Sequence, residues 1–284
     1  MESNNKIIHG LWIGHTLSPI ELLCIKSFMF HGHEFHLWTY DVVGTILPES
    51  LILEDASLII PAEKVFAYSN RNQYGHGKGS FAGFSDIFRY KLLYEKGGWW
   101  VDMDVCCLKP FDFVEEYVFR SHHDLPVVGN IMKCPKGSEL MRLSYEEAVA
   151  EVNSDNKNWK KPIQILNRNI VKLDLKNYIL TITNSDKYFV VRSLINSVRP
   201  IPEAWYAIHW TNEEWRAIGF NKNAIKKKSV LGQLLTTYNL FEKPRRIPLL
   251  INQYKLSWGF ILLKKVPFYF YHYLKKVVLF HSKN

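Results

Sequence analysis

Apolar and polar positions alternate with two different periods along the first hundred residues, and the changes of period mark the elements. Residues 6–13 (KIIHGLWI) form a β-rich apolar run closed by Gly14, which predicts the first strand of a sheet. Ser18-Pro19-Ile20-Glu21 then places a serine, a proline and a glutamate where a capping box needs its N-cap, N1 and N3 residues, opening a helix to about Phe30. Residues 34–40 (EFHLWTY) alternate as a second strand. Strand, helix and strand within the first forty residues predict an α/β fold with a Rossmann-like start. Further on, residues 81–96 read as a helix stopped by Gly97-Gly98, and residues 99–108 as a buried strand. A strand over 125–133, helices over 138–152, 163–173 and 223–240, and a short strand over 206–210 complete the pattern.

The apolar run after the glycine pair carries two charges. Asp102 and Asp104 stand among Trp99, Trp100, Val101, Met103, Val105, Cys106, Cys107 and Leu108. Residues two apart on an extended chain leave the same face, so both carboxylates could hold one divalent cation, a site that suits a diphosphate. The plainer reading is a satisfied structural pair, but buried like charges are costly unless a cation or donors balance them. One helix earlier, Asp86 and Arg89 are three apart and share a helical face, either as a surface ion pair or as part of the same site. Gly75, Gly77 and Gly79 lie in a polar loop over 69–80, read as a mobile loop over a site because it lacks a phosphate-loop spacing. His209, at the end of a short strand, is either structural or a ligand for metal or phosphate.

Composition narrows the class. An apolar share of 47% and an aromatic share of 14% in 284 residues exclude wholesale disorder and allow a substantial core. From Lys243 onward there are seven lysines, two arginines and no acid, so the entire net charge of +9 sits at that end. A neutral body with a basic end argues against nucleic acid as a partner and for a tail that meets an anionic surface. The tail's apolar stretches, 256–263 and 266–274, are interrupted by Lys264, Lys265 and Pro267 and fall short of the roughly 20 residues that cross a bilayer. Trp258 and the aromatic residues 268–271 and 273 between lysine pairs predict an interfacial segment on anionic lipid; the alternative is a helix packed on the body. The division expected is a catalytic domain over 1–254 and a basic aromatic tail over 255–284. Cys24, Cys106, Cys107 and Cys134 show no metal-type spacing and fit a reducing compartment. With no signal peptide read at the start, the expected location is cytoplasmic, peripheral on the inner face of the membrane.

Several of these motifs, taken in order, resemble a known family. They are the opening 7–14 (IIHGLWIG), Ser85-Asp86-x-x-Arg89-Tyr90, Gly97-Gly98 with Asp102-x-Asp104, and Ala207-Ile208-His209 leading to Trp215. The chain is similar through most of its body to the DXD-containing glycosyltransferases, a group that includes α-1,6-mannosyltransferases, capsular polysaccharide enzymes and glucosylating toxins. The resemblance implies a GT-A fold, a Rossmann-like nucleotide-binding sheet with flanking helices, and sugar transfer with retention of configuration. It implies that Trp12 stacks on the base, with backbone contacts from Ile13 and Gly14. Asp86 would bond the donor sugar, Arg89 the sugar and diphosphate, Asp102 the ribose and the metal, and Asp104 the metal directly. His209, as a further metal ligand, and Trp215 would close over the diphosphate. The cofactors implied are Mn2+ or Mg2+ and a nucleotide sugar, UDP-sugar being favoured. The acceptor expected is a glycan of lipopolysaccharide, capsule or lipid-linked type.

Two departures stand out. Trp99 and Trp100 replace a frequent tyrosine, and Glu213 and Glu214 precede the late tryptophan where a small hydroxyl residue is usual. Carboxylates there would repel a diphosphate, so at least one should point away or meet the metal. The competing readings are a metal-dependent phosphohydrolase or nucleotidyltransferase, and a non-enzymatic protein that binds anionic surfaces through its basic end.

Overall fold

The sequence pattern can be followed element by element in a computed structural model that describes residues 3–72, 77–217, 219 and 225–241. A single helical turn, α1 (Ser3–Lys6), leads into β1 (Ile7–Trp12). Helix α2 (Pro19–Phe30) opens on the expected capping box: the Ser18 hydroxyl accepts from the Ile20 amide at 3.4 Å, and the Glu21 carboxylate accepts from the Ser18 amide at 2.7 Å. β2 (Glu34–Thr39) follows, then an unforeseen short strand β3 (Ile52–Asp55), whose half-exposed alternation carries a weak signal. Helix α3 (Ala82–Lys96) stops at Gly97 (φ 71), where a Cβ would lie 2.6 Å from the Lys136 amide nitrogen; only glycine suits both demands.

The strand expected over 99–108 is not continuous. It divides into β4 (Gly98–Val101) and β5 (Val105–Cys107), which belong to different sheets. Between them residues 102–105 form a turn closed by the Val105 amide on the Asp102 carbonyl at 3.1 Å. Asp102 and Asp104 therefore do not share one face of an extended strand. A turn is the physical solution for two carboxylates inside an apolar run, because it brings them to the end of β4, where Asp104, though buried, finds the Asn212 amide and His209 as partners.

β6 (Val118–Ser121), β7 (Val127–Cys134), α4 (Glu139–Glu151), α5 (Lys161–Lys172), β8 (Ile179–Leu180), α6 (Tyr188–Asn196), β9 (Ala207–His209), α7 (Asn212–Ala217) and α8 (Val230–Thr237) complete the described chain. β6, β8 and α6 carried no expectation. The helix expected over 223–240 is, in its described part, confined to α8, because the Ser229 hydroxyl caps it on the Gly232 amide at 3.2 Å.

The main sheet runs β3-β2-β1-β4-β7-β6-β8, with the first four strands parallel and β7 antiparallel to β4. Its two faces are covered separately. Trp100, Trp38 and Met132 pack under α3, α4 and α5, while Trp99, Leu37 and Ile131 pack under α2, as the period of two along each strand requires. The fold is thus the expected α/β class with a Rossmann-like sheet between helices. β1 leads through α2 to β2 on one side, and the chain returns to place β4 on the other, so the order reverses between β1 and β4. At such a point a crevice opens beyond the carboxyl ends of the strands. A second sheet pairs β5 with β9 antiparallel, setting Val105 opposite His209. No helix among the described residues is long and apolar enough to cross a membrane. The tail predicted over 255–284, and with it the boundary after residue 254, lies outside the described residues.

Candidate active site

Several of the residues singled out from the sequence flank the reversal point. Trp12 ends β1, with Ile13 and Gly14 directly beyond it, and Asp102 follows β4 on the other side. The Trp12 indole N–H is buried and meets no acceptor among the described residues. Ile13 packs against the core under α3, and Gly14 has φ 133.

Asp86 and Arg89, one face of α3 as their spacing requires, are no surface pair. Both are buried, and Arg89 Nη2 lies 3.0 Å from Asp86 and 3.3 Å from Asp102. The guanidinium also stacks over Trp100 at 5.2 Å. Space for it comes from Gly129 in β7, where a Cβ would stand 2.6 Å from Arg89 Nη1. Burial, with Asp102 adding to it, pushes the Asp86 carboxyl up to about 6 in spite of Arg89. Asp102 is held at its backbone by the Asn130 carbonyl, at 2.9 Å, and at its side chain by the Trp100 indole N–H, at 2.8 Å. The tryptophan that replaces a tyrosine hydroxyl thus supplies a donor of its own, while Trp99 is a core residue whose indole bonds Asn5 at 3.3 Å.

Asp104 stands at the far end of the turn. Its Oδ2 accepts from the Asn212 amide at 2.6 Å, at the start of α7, and its Oδ1 lies 3.3 Å from His209 Nε2. Thr211, with φ 53, makes the corner that delivers this amide, a left-handed conformation unusual for a β-branched residue. His209 Nδ1 in turn lies 2.8 Å from Asp186. Burial disfavours the imidazolium, yet Asp186 and then Asp104 overcome it and push His209 up to about 10. Burial likewise opposes both carboxylate charges, but His209 holds Asp104 below its ordinary range, and His209 with Arg120 holds Asp186 well below it. At neutral pH a protonated His209 therefore bridges two carboxylates.

Three further placements bear on the expectations. Trp215 is 3% exposed, in a core with Ile20, Leu23 and Ile208. Glu213 turns toward the glycine loop and accepts from the Gly77 amide at 3.0 Å, while the Glu214 side chain and loop residues 73–76 lie outside the described residues. All four cysteines are buried and free, with thiols pushed up by burial, which fits packing and not ligation. Among the described residues no three carboxylate, histidine or cysteine groups form a ready cage for a metal. Sequence reasoning missed Arg120, Asn184 and Asp186 altogether. An arginine inside the apolar β6 was the one available signal, and nothing in it named a partner.

Residues 50–120 match a family described as the glycosyltransferase sugar-binding region containing a DXD motif. No curated protein matches the sequence. Among solved structures, one titled PaToxG glycosyltransferase is 14% identical with a TM-score of 0.43, over 59% of this chain and 68% of that one. A transferase mutant with two cysteine-to-serine substitutions is 9% identical with a TM-score of 0.42, over 62% of this chain and 86% of that one.

Proposed function

We propose that this chain, whose residues 50–120 match the DXD-containing glycosyltransferase sugar-binding region, is a metal-dependent enzyme that moves a hexose from a nucleotide sugar to a glycan acceptor with retention. The observation that carries the reading is the convergence of Asp86, Arg89, Asp102, Asp104 and His209 at the reversal point between the parallel strands β1 and β4. That is where α/β folds bind nucleotides.

The donor set fits a divalent cation. Asp104 offers an oxygen beside His209 Nε2, and Asp102 lies across the same turn. A hard cation such as Mg2+ is commonly held by one or two carboxylates together with substrate phosphates, so the lack of an all-protein cage suits an ion that arrives with a diphosphate. In the free protein the proton on His209 offsets Asp104, and this proton leaves if the imidazole becomes a ligand. Mn2+ or Mg2+ would supply Lewis-acid stabilisation of the departing diphosphate.

This chain's own residues do the rest. Trp12, with its half-buried ring and unpaired N–H at the end of β1, is assigned to the base, with Ile13 and Gly14 beside it. Arg89 faces the charge that grows on the leaving diphosphate, and Asp86 bonds sugar hydroxyls; its raised pKa lets it donate as well as accept. Attack by the acceptor on the donor's front face, with its proton passing to a diphosphate oxygen, needs no additional carboxylate nucleophile. Trp215, in α7, is assigned with His209 to close over the diphosphate. UDP-sugar donors are favoured, as is an acceptor of lipopolysaccharide, capsule or lipid-linked type. The basic aromatic tail would rest on an anionic membrane surface at its cytoplasmic side.

The test is thermal stabilisation of the full chain by UDP-sugars and GDP-mannose, with Mn2+ and with chelator. Stabilisation by one donor that requires metal and disappears in Asp104→Ala supports the assignment. No response to any donor, with the protein folded, rejects it.

A further inference from the structure

We propose that Asp186, clamped by Arg120, is the positioning residue of His209, holding the ring with Nδ1 toward Asp186 and Nε2 toward Asp104. The inference rests on the transferase reading and names a residue outside all the motifs that led to it.

Four separate stretches of chain meet here. Arg120 is 1% exposed in β6, and it sits where the register between β6 and β7 shifts between Phe119 and Ser121. Such irregularities turn a side chain away from the direction the regular pleat would give it. The guanidinium grips both oxygens of Asp186, with Nη2 to Oδ1 at 2.6 Å and Nη1 to Oδ2 at 2.7 Å. Its other bonds fix the segment that carries Asp186: Nε donates to the Thr183 hydroxyl and Nη2 to the Asn184 carbonyl at 2.9 Å. Nη1 also reaches the Asn130 side-chain oxygen at 3.3 Å, and His122 Nε2 stands 3.4 Å from Asp186 Oδ2.

The same segment locks His209 at its backbone. Asn184 Oδ1 accepts from the His209 amide at 2.8 Å, and Asn184 Nδ2 donates to the His209 carbonyl at 3.0 Å. With the main chain fixed from Asn184 and Nδ1 fixed from Asp186, the ring has one orientation, and Nε2 is delivered 3.3 Å from Asp104. Placing a carboxylate on one imidazole nitrogen so that the other faces a cation is the general way proteins set a histidine ligand's tautomer and aim. A buried ion pair adds little net stability after desolvation, so an arginine with two bonds to one carboxylate and three to the groups around it accounts for geometry better than for stability.

The experiment is calorimetric titration of the full chain with Mn2+, alone and with UDP. It uses the wild type, Asp186→Asn, Arg120→Lys and Asp104→Ala, each below its own melting temperature. Asp186→Asn is expected to weaken Mn2+ binding about 10- to 100-fold, the usual consequence of losing a ligand's outer partner. Arg120→Lys keeps the charge but loses the two-pronged grip, and a smaller loss in the same direction is expected; this variant decides the matter if Asp186→Asn does not fold. A purely structural role would lower the melting temperature and leave the Mn2+ affinity of the folded variants unchanged, which would overturn the inference. Loss of binding in Asp104→Ala, with both other variants at wild-type affinity, would reject the role of Asp186 while leaving the transferase reading intact. A wild type that binds no Mn2+, even with UDP, would reject both.

Discussion

The two carboxylates of the Asp-x-Asp turn are built into opposite kinds of surroundings. Asp86 is buried and shares one cation, Arg89, with Asp102, so burial first and the second carboxylate after it drive Asp86 toward its neutral form. Asp104 and Asp186 face a charged His209 and the Arg120 guanidinium, so that group is balanced and its carboxylates stay ionised. A site that receives a diphosphate and a cation gains from such an arrangement. On the balanced side a proton on His209 offsets the carboxylates, while the Asp86 carboxyl can gain or lose a proton near neutrality.

The largest effect should come from striking the balanced side at its centre. Asp104→Ala removes the residue assigned to the metal, and loss of one such transition-state stabiliser costs about 3–4 kcal/mol, so turnover should fall at least about a hundredfold. Near-normal turnover with the best donor would break the comparison, because Asp104 would then be structural.

The two sides should also differ in how pH acts on stability, measured as the free energy of unfolding in chelator. The folded pKa of His209, about 10, lies above its unfolded value, so its contribution is complete below about pH 6.5 and is lost as pH rises through 10. Asp104 and Asp186 have lowered folded values, so theirs is complete above about pH 4 and is lost on further acidification. Asp86 runs the other way. Its folded value of about 6 exceeds the unfolded one, so its ionisation penalises the fold above pH 6 and the penalty fades as pH falls toward 4. Relative to Asp86→Asn, the wild type should gain stability between pH 7 and 5, at up to about 1.4 kcal/mol per unit of pKa difference. A difference independent of pH would show that Arg89 keeps Asp86 ionised.

Gly129→Ala tests the space behind Arg89. A methyl group 2.6 Å from the guanidinium nitrogen must displace it, and overpacking of this kind costs about 1–3 kcal/mol. The melting temperature should fall and donor binding should weaken together; unchanged donor affinity would remove Arg89 from the diphosphate. The smallest change in donor binding is expected in Trp100→Phe, which removes the indole donor to Asp102 and leaves part of the buried indole's volume empty. A hydrogen bond to a charged group contributes about 1.5–3 kcal/mol, part of which solvent at the half-exposed Asp102 replaces. A modest rise in donor KM, beside a melting temperature lowered by the cavity, is the expected outcome.

The contrast between the two sides is also one of legibility. Asp86, Arg89 and Asp102 lie within seventeen residues of one another, on a helix, a glycine stop and a strand whose periods are plain in the chain, so their meeting follows from local geometry. The capping box, the first two strands and the α/β class were readable for the same reason: caps and periods of 2 and 3.6 act over a few residues. Even there a local rule misled, because the apolar flanks of Asp102 and Asp104 gave no sign that the strand breaks into a turn between two sheets. The alternating pattern reports burial on either side of a break as it does along an unbroken strand.

Asp104, His209, Asp186 and Arg120 belong to segments brought together only when β5 pairs with β9 and β6 pairs with β8. No short-range preference specifies those pairings; they arise as the flanking core buries Ile208, Trp210 and Leu194. Along the chain Asp186 is one polar residue among polar neighbours, and Arg120 is an anomaly without a partner. The amino-acid order was sufficient for the sheet's first half, the helix that faces it and the identity of the Asp-x-Asp pair, because those depend on neighbours in sequence. Which cation each carboxylate meets, and hence its charge at a given pH, depends on distances across the folded molecule, and only the packing of distant segments sets those.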